Sequence, residues 1–277
     1  MKKQKLISLL NPIRTIAFFY KNKDLLKQLV RQNILVRYKG SGLGSIWSFI
    51  TPLFMLAIYT FVFNVIFKTR LTVGDNDSTI AFTLTLFCGI AVFNIFSESI
   101  NPSSTVIIQN ANYVKKVVFP LEILPVTMVV SSLFFGGIWF VVLIVGVGVF
   151  LHKICITLIC LPLILLPLIL FTLGLSWWIA SLGVYIRDIA HFVGLGLQCL
   201  FFITPIFYPI TMVPDNLQVV LQINPLAAII QEMRNIVLYN IWPAWPMLGL
   251  IFAVSLVVFQ SGYVWFMKTK HGFADVI

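Results

Sequence analysis

Very few residues of this chain could do chemistry. Its 277 positions hold nine acidic residues and three histidines, scattered rather than gathered at the spacing of a metal site, a catalytic pair or a nucleophile elbow. Gly40, Gly42 and Gly44 have the density of a phosphate loop, but no Lys-Ser or Lys-Thr follows them. They read as a hinge that lets the backbone turn sharply. Cys88, Cys155, Cys160 and Cys199 lie inside or at the edge of apolar runs, without a CxxC pair or a histidine at zinc-ligand spacing. They read as buried thiols behaving as small hydrophobes. His152, His191 and His271 fall at the edges of apolar runs or in the tail, where a solvated imidazole is expected. The pattern argues against an enzyme in its own right, and it predicts no cofactor and no metal bound by this chain.

What surrounds those few groups is apolar. The chain is 60% hydrophobic and 10% charged, against about 25% charged in a soluble domain. Six stretches reach the roughly 20 residues that a helix needs to cross about 30 Å of hydrocarbon. They run over about 46–67, 80–100, 121–151, 155–182, 189–209 and 245–267. Lipid cannot hydrogen-bond bare backbone, so each is expected to be helical. Pro162 and Pro167 predict a kink in the fourth. The expected fold is all-α, one transmembrane domain covering 1–277.

The formal charge of +10 follows the same logic and does not point to nucleic acid. Ten of the nineteen basic residues precede the first span: Lys2, Lys3, Lys5, Arg14, Lys21, Lys23, Lys27, Arg31, Arg37 and Lys39. With the N-terminus inside, Lys115, Lys116, Arg187, Lys268 and Lys270 join them, and only Lys68, Arg70, Lys153 and Arg234 fall outside. That asymmetry predicts a multi-pass inner-membrane protein with both termini in the cytoplasm. The opening MKKQKLISLL begins like a signal peptide, but Asn11, Pro12 and Arg14 interrupt the apolar stretch, so the N-terminus is expected to be retained.

Ion-coupled transporters keep ionisable groups at mid-bilayer. Here Glu98 and Glu122 fall near the cytoplasmic ends of their spans, and the span interiors hold no Asp, Lys or Arg. If something is moved, the energy is expected from another subunit. The interiors are instead rich in aromatic residues, among them Trp47, Tyr59, Phe61, Phe63, Trp139, Trp177, Trp178, Phe201, Phe202, Phe207 and Tyr208. Such faces can stack on sugar rings; the alternative is lipid-facing bulk and interfacial belts.

Four segments outside the spans carry further pattern. Lys23–Lys39 places Leu25, Leu26, Leu29, Val30 and Ile34 on one helical stripe, opposite Asp24, Lys27, Gln28 and Arg31. This is the pattern of a helix in the membrane surface, with a solvated juxtamembrane helix as the alternative. Between the fifth and sixth spans, Pro214-Asp215 and Asn224-Pro225 open two short helices, the second reaching about Tyr239 with Leu226, Ile229, Ile230, Met233 and Val237 on one face. Neither is long enough to span, so they predict a re-entrant hairpin over 210–240, or one lying flat on the outer surface. On the inner side, Asn101–Pro120, where Asn101-Pro102 is expected to start a short helix, and the turn Tyr185-Ile186-Arg187-Asp188 look built to dock something. Ordinary topology-setting loops are the alternative.

Several blocks taken together resemble the permease subunits of type-2 ABC exporters, in particular those exporting O-antigen and related lipid-linked polysaccharides. They are VRYKGSGLGSIWSFITPL at Val36–Leu53, NANYVKKVVFPLEILP at Asn110–Pro125, YIRDI at Tyr185–Ile189, TPIFYP at Thr204–Pro209 and NPLAAIIQEMRNIVL at Asn224–Leu238. The resemblance implies a homodimer paired with two copies of a separate ABC ATPase, which carries the ATP and Mg, a lipid-linked glycan as substrate, and contact with membrane lipids. It implies that Lys23–Lys39, with Leu25, Leu26, Leu29 and Arg31, is an interface helix. It implies that the inner loop couples to the ATPase through Val106, Ile107, Ile108, Gln109, Asn110, Tyr113, Lys115 and Lys116, joined by Arg187 and Asp188. The outer hairpin, with Pro214, Asn224, Pro225, Glu232 and Arg234, becomes a gate. For the polymer's path, Tyr59 and Phe63 are four apart on one helical face, as are Gln198 and Phe202, giving aromatic surface with a polar group; core packing or lipid contact is the alternative.

Two other classes fit parts of the pattern. An ion-coupled transporter or channel should show mid-membrane charge and two similar halves, which the sequence lacks. A membrane-embedded glycan-modifying enzyme should show outward acidic or histidine residues, and the outer side offers only Asp75, Asp77, Asp215, Glu232 and His152. Within the resembled family, capsule and teichoic-acid exporter permeases are the alternative to O-antigen.

Overall fold

The computed structural model of the chain describes residues 12–66, 72–73, 76–77, 79–115, 119–208, 214, 216 and 224–277. Among the described residues, two helices precede the membrane-length ones: α1, Pro12–Lys21, and α2, Lys23–Arg37. Gly40 and Gly44 then adopt φ of +87° and +53°, the left-handed backbone that glycine alone enters without cost. The turn they make leads through a short 3₁₀ segment, Gly44–Ile46, into α3, Trp47–Thr60. Next come α4 (Thr79–Ser103), α5 (Val106–Gln109), α6 (Ala111–Val114), α7 (Ile123–Leu151), α8 (Leu161–Tyr185) and α9 (Ile189–Ile203). The chain closes with α10 (Pro225–Arg234), α11 (Trp245–Thr269) and α12 (Phe273–Val276).

Among the described residues, five helical stretches are long and apolar enough to cross a membrane: Gly44–Phe63, Ile80–Ser103, Ile123–Leu151, Ile156–Tyr185 and Trp245–Val276. The fifth span expected over 189–209 is instead the 15-residue α9. At 1.5 Å per residue it is about 22 Å long, short of the hydrocarbon core. Proline disfavours helical backbone in the residue before it, and Thr204, ahead of Pro205, is extended with φ −69° and ψ 133°.

Local details differ from expectation. Pro162 lies in the first turn of α8, where its missing N–H costs nothing, and only Pro167 sits inside the helix. Asn101-Pro102 ends α4 rather than starting a new helix. A two-residue antiparallel ladder, Thr72–Val73 with Asn76–Asp77, lies between α3 and α4 and leaves the all-α class unchanged.

The long helices pack through small residues, which let backbones approach where apolar burial gives no preference over lipid. A Cβ on Gly262 would run into the Gly174 carbonyl. From that crossing α8 and α11 run in the same direction, Trp178 stacking on Trp265 at 4.5 Å and Ser181 meeting Thr269 at 2.6 Å. Helices α4 and α7 run antiparallel, Phe87 stacking on Trp139 at 5.0 Å and Ser99 bonding to Ser132. A large apolar cluster centred on Phe87, Ile95, Leu143, Ile230 and Met233 fills one part of the bundle. A second gathers Val106, Ile107, Trp177, Phe266 and Phe273, with Phe19, Leu26 and Leu29 packed against it. The first and last described helices therefore lie at the same end of the bundle.

Two helices stand apart. Helix α9 buries no residue, and α3 buries only Ser48 and Pro52.

Candidate functional site

Between α4 and α9, beside the end of α2, lies a cleft of about 580 Å³. Helix α4 contributes Phe93, Ser97, Glu98 and Asn101, and α9 contributes Gly194, Leu197, Gln198, Phe201 and Phe202. The residues from each helix recur at three- and four-residue steps and so share a face. Arg37, the last residue of α2, closes one wall. Its Nη1 donates to Glu98 Oε2 at 2.6 Å and its Nη2 to Glu98 Oε1 at 3.0 Å, the two-point geometry that a planar guanidinium and a carboxylate share. The guanidinium also lies 4.1 Å from the centroid of the Phe135 ring. The bond to Glu98 raises the Arg37 pKa above its ordinary value, outweighing partial burial. On its other side the ion pair borders a smaller cleft of about 180 Å³ lined by Asn33, Met128, Ser131, Ser132 and Phe135. The pair is thus a bar between two clefts.

Aromatic rings form the rest of the larger wall. Phe201 packs on Phe93 and, edge to face, on Phe207, both at 5.0 Å, while Phe202 is 68% exposed. The Tyr208 hydroxyl donates to the carbonyls of Phe202 and Ile203 at 3.1 and 2.9 Å, capping the broken end of α9.

Of the four residues expected on a polymer's path, Gln198 and Phe202 line this cleft. Tyr59 and Phe63 do not: Tyr59 packs on the large core cluster, and the Phe63 ring sits 5.3 Å from that of Phe82 on α4. Trp139 and Trp177, proposed as sugar-stacking surface, are core residues. Trp177 lies between Phe19, Phe259 and Tyr263 and donates its indole N–H to the Glu122 carbonyl at 3.0 Å.

The expected docking segments meet at the end of the bundle where the chain ends also lie. Val106 and Ile107 are buried in the second apolar cluster with Val184 of α8. Ile108, Gln109 and Lys115 are exposed, Asn110 bonds back to the Val106 carbonyl at 2.8 Å, and Tyr113 stacks on Phe119 at 4.3 Å. Gly183 lets this loop approach, because a Cβ there would strike the Ser104 carbonyl. Arg187 and Asp188 are exposed in the adjoining turn; Lys116 lies outside the described residues. In α2, Leu25, Leu26 and Leu29 are half-buried and Arg31 is exposed, and Leu26 and Leu29 pack against the second apolar cluster.

At the opposite end, Asn224 caps α10 by accepting from the Leu226 N–H at 3.0 Å, with Pro225 in the first turn. The face of Leu226, Ile229, Ile230, Met233 and Val237 is fully buried. Glu232 and Arg234, expected off that face, are buried as well, at 4% and 5% exposure. Glu232 accepts from the Ala244 N–H at 3.2 Å. Arg234 donates from Nε to the Thr85 carbonyl at 3.2 Å, from Nη1 to Pro205 at 3.1 Å and from Nη2 to Ile206 at 2.8 Å. Among the described residues no carboxylate pairs with it. Pro214 is exposed, and the rest of the hairpin's first arm, apart from Asn216, lies outside the described residues.

Sequence reasoning missed two partners. Arg37 was counted only as a topology charge, although a lone acid such as Glu98 near a span end is itself a signal that a cation faces it. The second ion pair, Lys270 Nζ to Glu122 Oε2 at 3.2 Å, joins the C-terminal segment to the start of α7. Among the described residues no group of His, Cys, Asp and Glu could hold a metal ion.

Comparison with known proteins agrees with this picture. The profile of the family described as ABC-2 type transporter matches residues 24–238. An O-antigen export system permease protein, RfbA, of Klebsiella pneumoniae is 29% identical over 259 residues, covering 92% of this chain and 95% of that protein. A protein with the same description from Myxococcus xanthus is 27% identical over 277 residues, covering 96% and 100% respectively.

Proposed function

The chain belongs to the ABC-2 type transporter family and is a multi-pass membrane protein, and from that premise we propose that it forms half of the pore of an ATP-driven exporter of lipid-linked polysaccharide across the inner membrane. The observation that carries this reading is similarity along nearly the whole chain to permeases whose description is O-antigen export. ATP hydrolysis on a separate subunit is consistent with a sequence in which no nucleotide-binding motif is visible.

Two copies of the chain pair through α3 and α9. These helices bury almost nothing within one copy, and α9 exposes Gly196 and Cys199 away from the cleft, small residues of the kind that transmembrane interfaces favour over lipid. Because α8 and α11 run parallel, the chain between them must return the full depth of the bundle. Helix α9 lies on that sixth crossing, which leaves both termini in the cytoplasm. The exposed face of α5 and α6, with the Arg187-Asp188 turn, receives the ATPase, and the region around α10 gates the outer end.

Purification from membranes tests this assembly. The permease should carry a separate ABC ATPase, in a complex whose mass corresponds to two copies of each. Isolation of a stable complex without any nucleotide-binding subunit would count against the proposal.

A further inference from the structure

We propose that the cleft between α4 and α9 is a subsite for uncharged sugar rings, and that the Arg37–Glu98 pair sets that preference. The inference rests on the export reading above and adds the chemical class of what passes this point. Its walls combine the two things a sugar ring needs. Phe201, backed by the buried Phe93, and the exposed Phe202 offer aromatic faces to the apolar C–H side of a pyranose, while Ser97, Asn101 and Gln198 offer hydrogen-bonding groups to its hydroxyls. A volume of about 580 Å³ falls inside the range of small-molecule sites, about 300–1,000 Å³.

Charge decides the class. Arg37 and Glu98 are the only ionic side chains among the described residues lining the cleft, and they neutralise each other. An anionic group, whether an acidic sugar or a lipid phosphate, would have to displace Glu98 from a two-point contact to reach the only cation. A neutral hydroxyl need displace nothing. A guanidinium has five N–H donors, two of them engaged by Glu98, so the pair presents donors and acceptors side by side. Side-chain exposures of 41% and 31% keep these contacts weak, as a moving polymer requires.

The test uses the full complex in cells exporting their own glycan. The photoreactive residue p-benzoylphenylalanine replaces Phe202, or Gln198 as a second placement, and Val257, exposed on α11, serves as the control. Irradiation should attach carbohydrate at 202 and 198 and none at 257, and hydrolysis of the attached material should yield neutral sugars without uronic acid or phosphate. Adding Gln198→Ala to the 202 variant should cut the attached carbohydrate about fivefold, the worth of one neutral hydrogen bond. No carbohydrate at either cleft position while export runs normally would overturn the subsite and leave the export reading intact. Attached acidic sugar or lipid phosphate would overturn the charge argument. Export unchanged in cells lacking this chain would instead refute the export reading.

Discussion

Replacing Arg234 with Met isolates the most unusual polar arrangement in the fold. The guanidinium donates to the carbonyls of Thr85, Pro205 and Ile206 at 3.2, 3.1 and 2.8 Å, tying α10 to α4 and to the bend that ends α9. Methionine fills much of the same volume and offers no donor. Each carbonyl left bare costs about 1–3 kcal/mol, a gross loss of about 3–9 kcal/mol for three. Against this stands relief from burying a guanidinium that has no ion pair among the described residues, worth several kcal/mol. The loss should win by about 2–4 kcal/mol, because the three carbonyl dipoles already compensate the charge while the buried carbonyls have no other donor to turn to. Arg234→Lys keeps the charge, but a compact ammonium cannot reach carbonyls on two elements at once, so it should fall between Met and the parent. Denaturant titration of the purified permease, followed by tryptophan fluorescence, measures the difference. A Met variant as stable as the parent would show that the guanidinium is merely tolerated, and the reasoning would be wrong.

Three further outcomes follow from the same geometry. Ile108→Pro, inside Val106–Asn110, should abolish export while leaving membrane insertion intact, and Gly183→Ala, which pushes on the Ser104 carbonyl, should weaken coupling of ATP turnover to export; normal export in both would remove this loop as the coupling element. In a Cys199→Ser background, which removes the exposed native thiol, a cysteine at Asn76 should react with an impermeant reagent from outside and one at Lys115 should not; the reverse pattern would invert the topology. Tyr59→Ala with Phe63→Ala should lower the yield of folded complex, because both rings pack on the α4 side of the core, whereas a well-folded double variant with selectively slowed glycan response would return them to the path.

Much of the architecture was legible because lipid leaves the chain few options. Long apolar runs had to be helices, and four of the six expected spans appear as helices, three with ends shifted by a few residues and the last running on to Val276. The first reaches Phe63 within a helix that ends in a π turn over Phe61–Ile66. Over the fifth, the described helix stops at Ile203, because hydropathy counts residues and is blind to the backbone of Thr204-Pro205, which ends α9 early. Asn224-Pro225 was readable as a helix start because a cap and a first-turn proline act locally. Arg234 and Arg37 were not, because their roles come from partners far along the chain: Thr85 for one, Glu98 for the other. Helical periodicity likewise identified the apolar stripe of α2 without saying whether lipid or α7 would cover it. Gln198 and Phe202 line the cleft, whereas Tyr59 and Phe63, at the same spacing, lie half-buried against the core cluster and Phe82.

The decisive assay is ATP hydrolysis by the purified complex, reconstituted in lipid and measured with and without lipid-linked glycan from the source cells. Turnover should rise when the glycan is added and should require the separate ATPase subunit, and a Phe202→Ala permease should blunt the rise while leaving basal hydrolysis in place. Hydrolysis indifferent to the glycan in an intact complex would contradict the assignment of this chain to polysaccharide export.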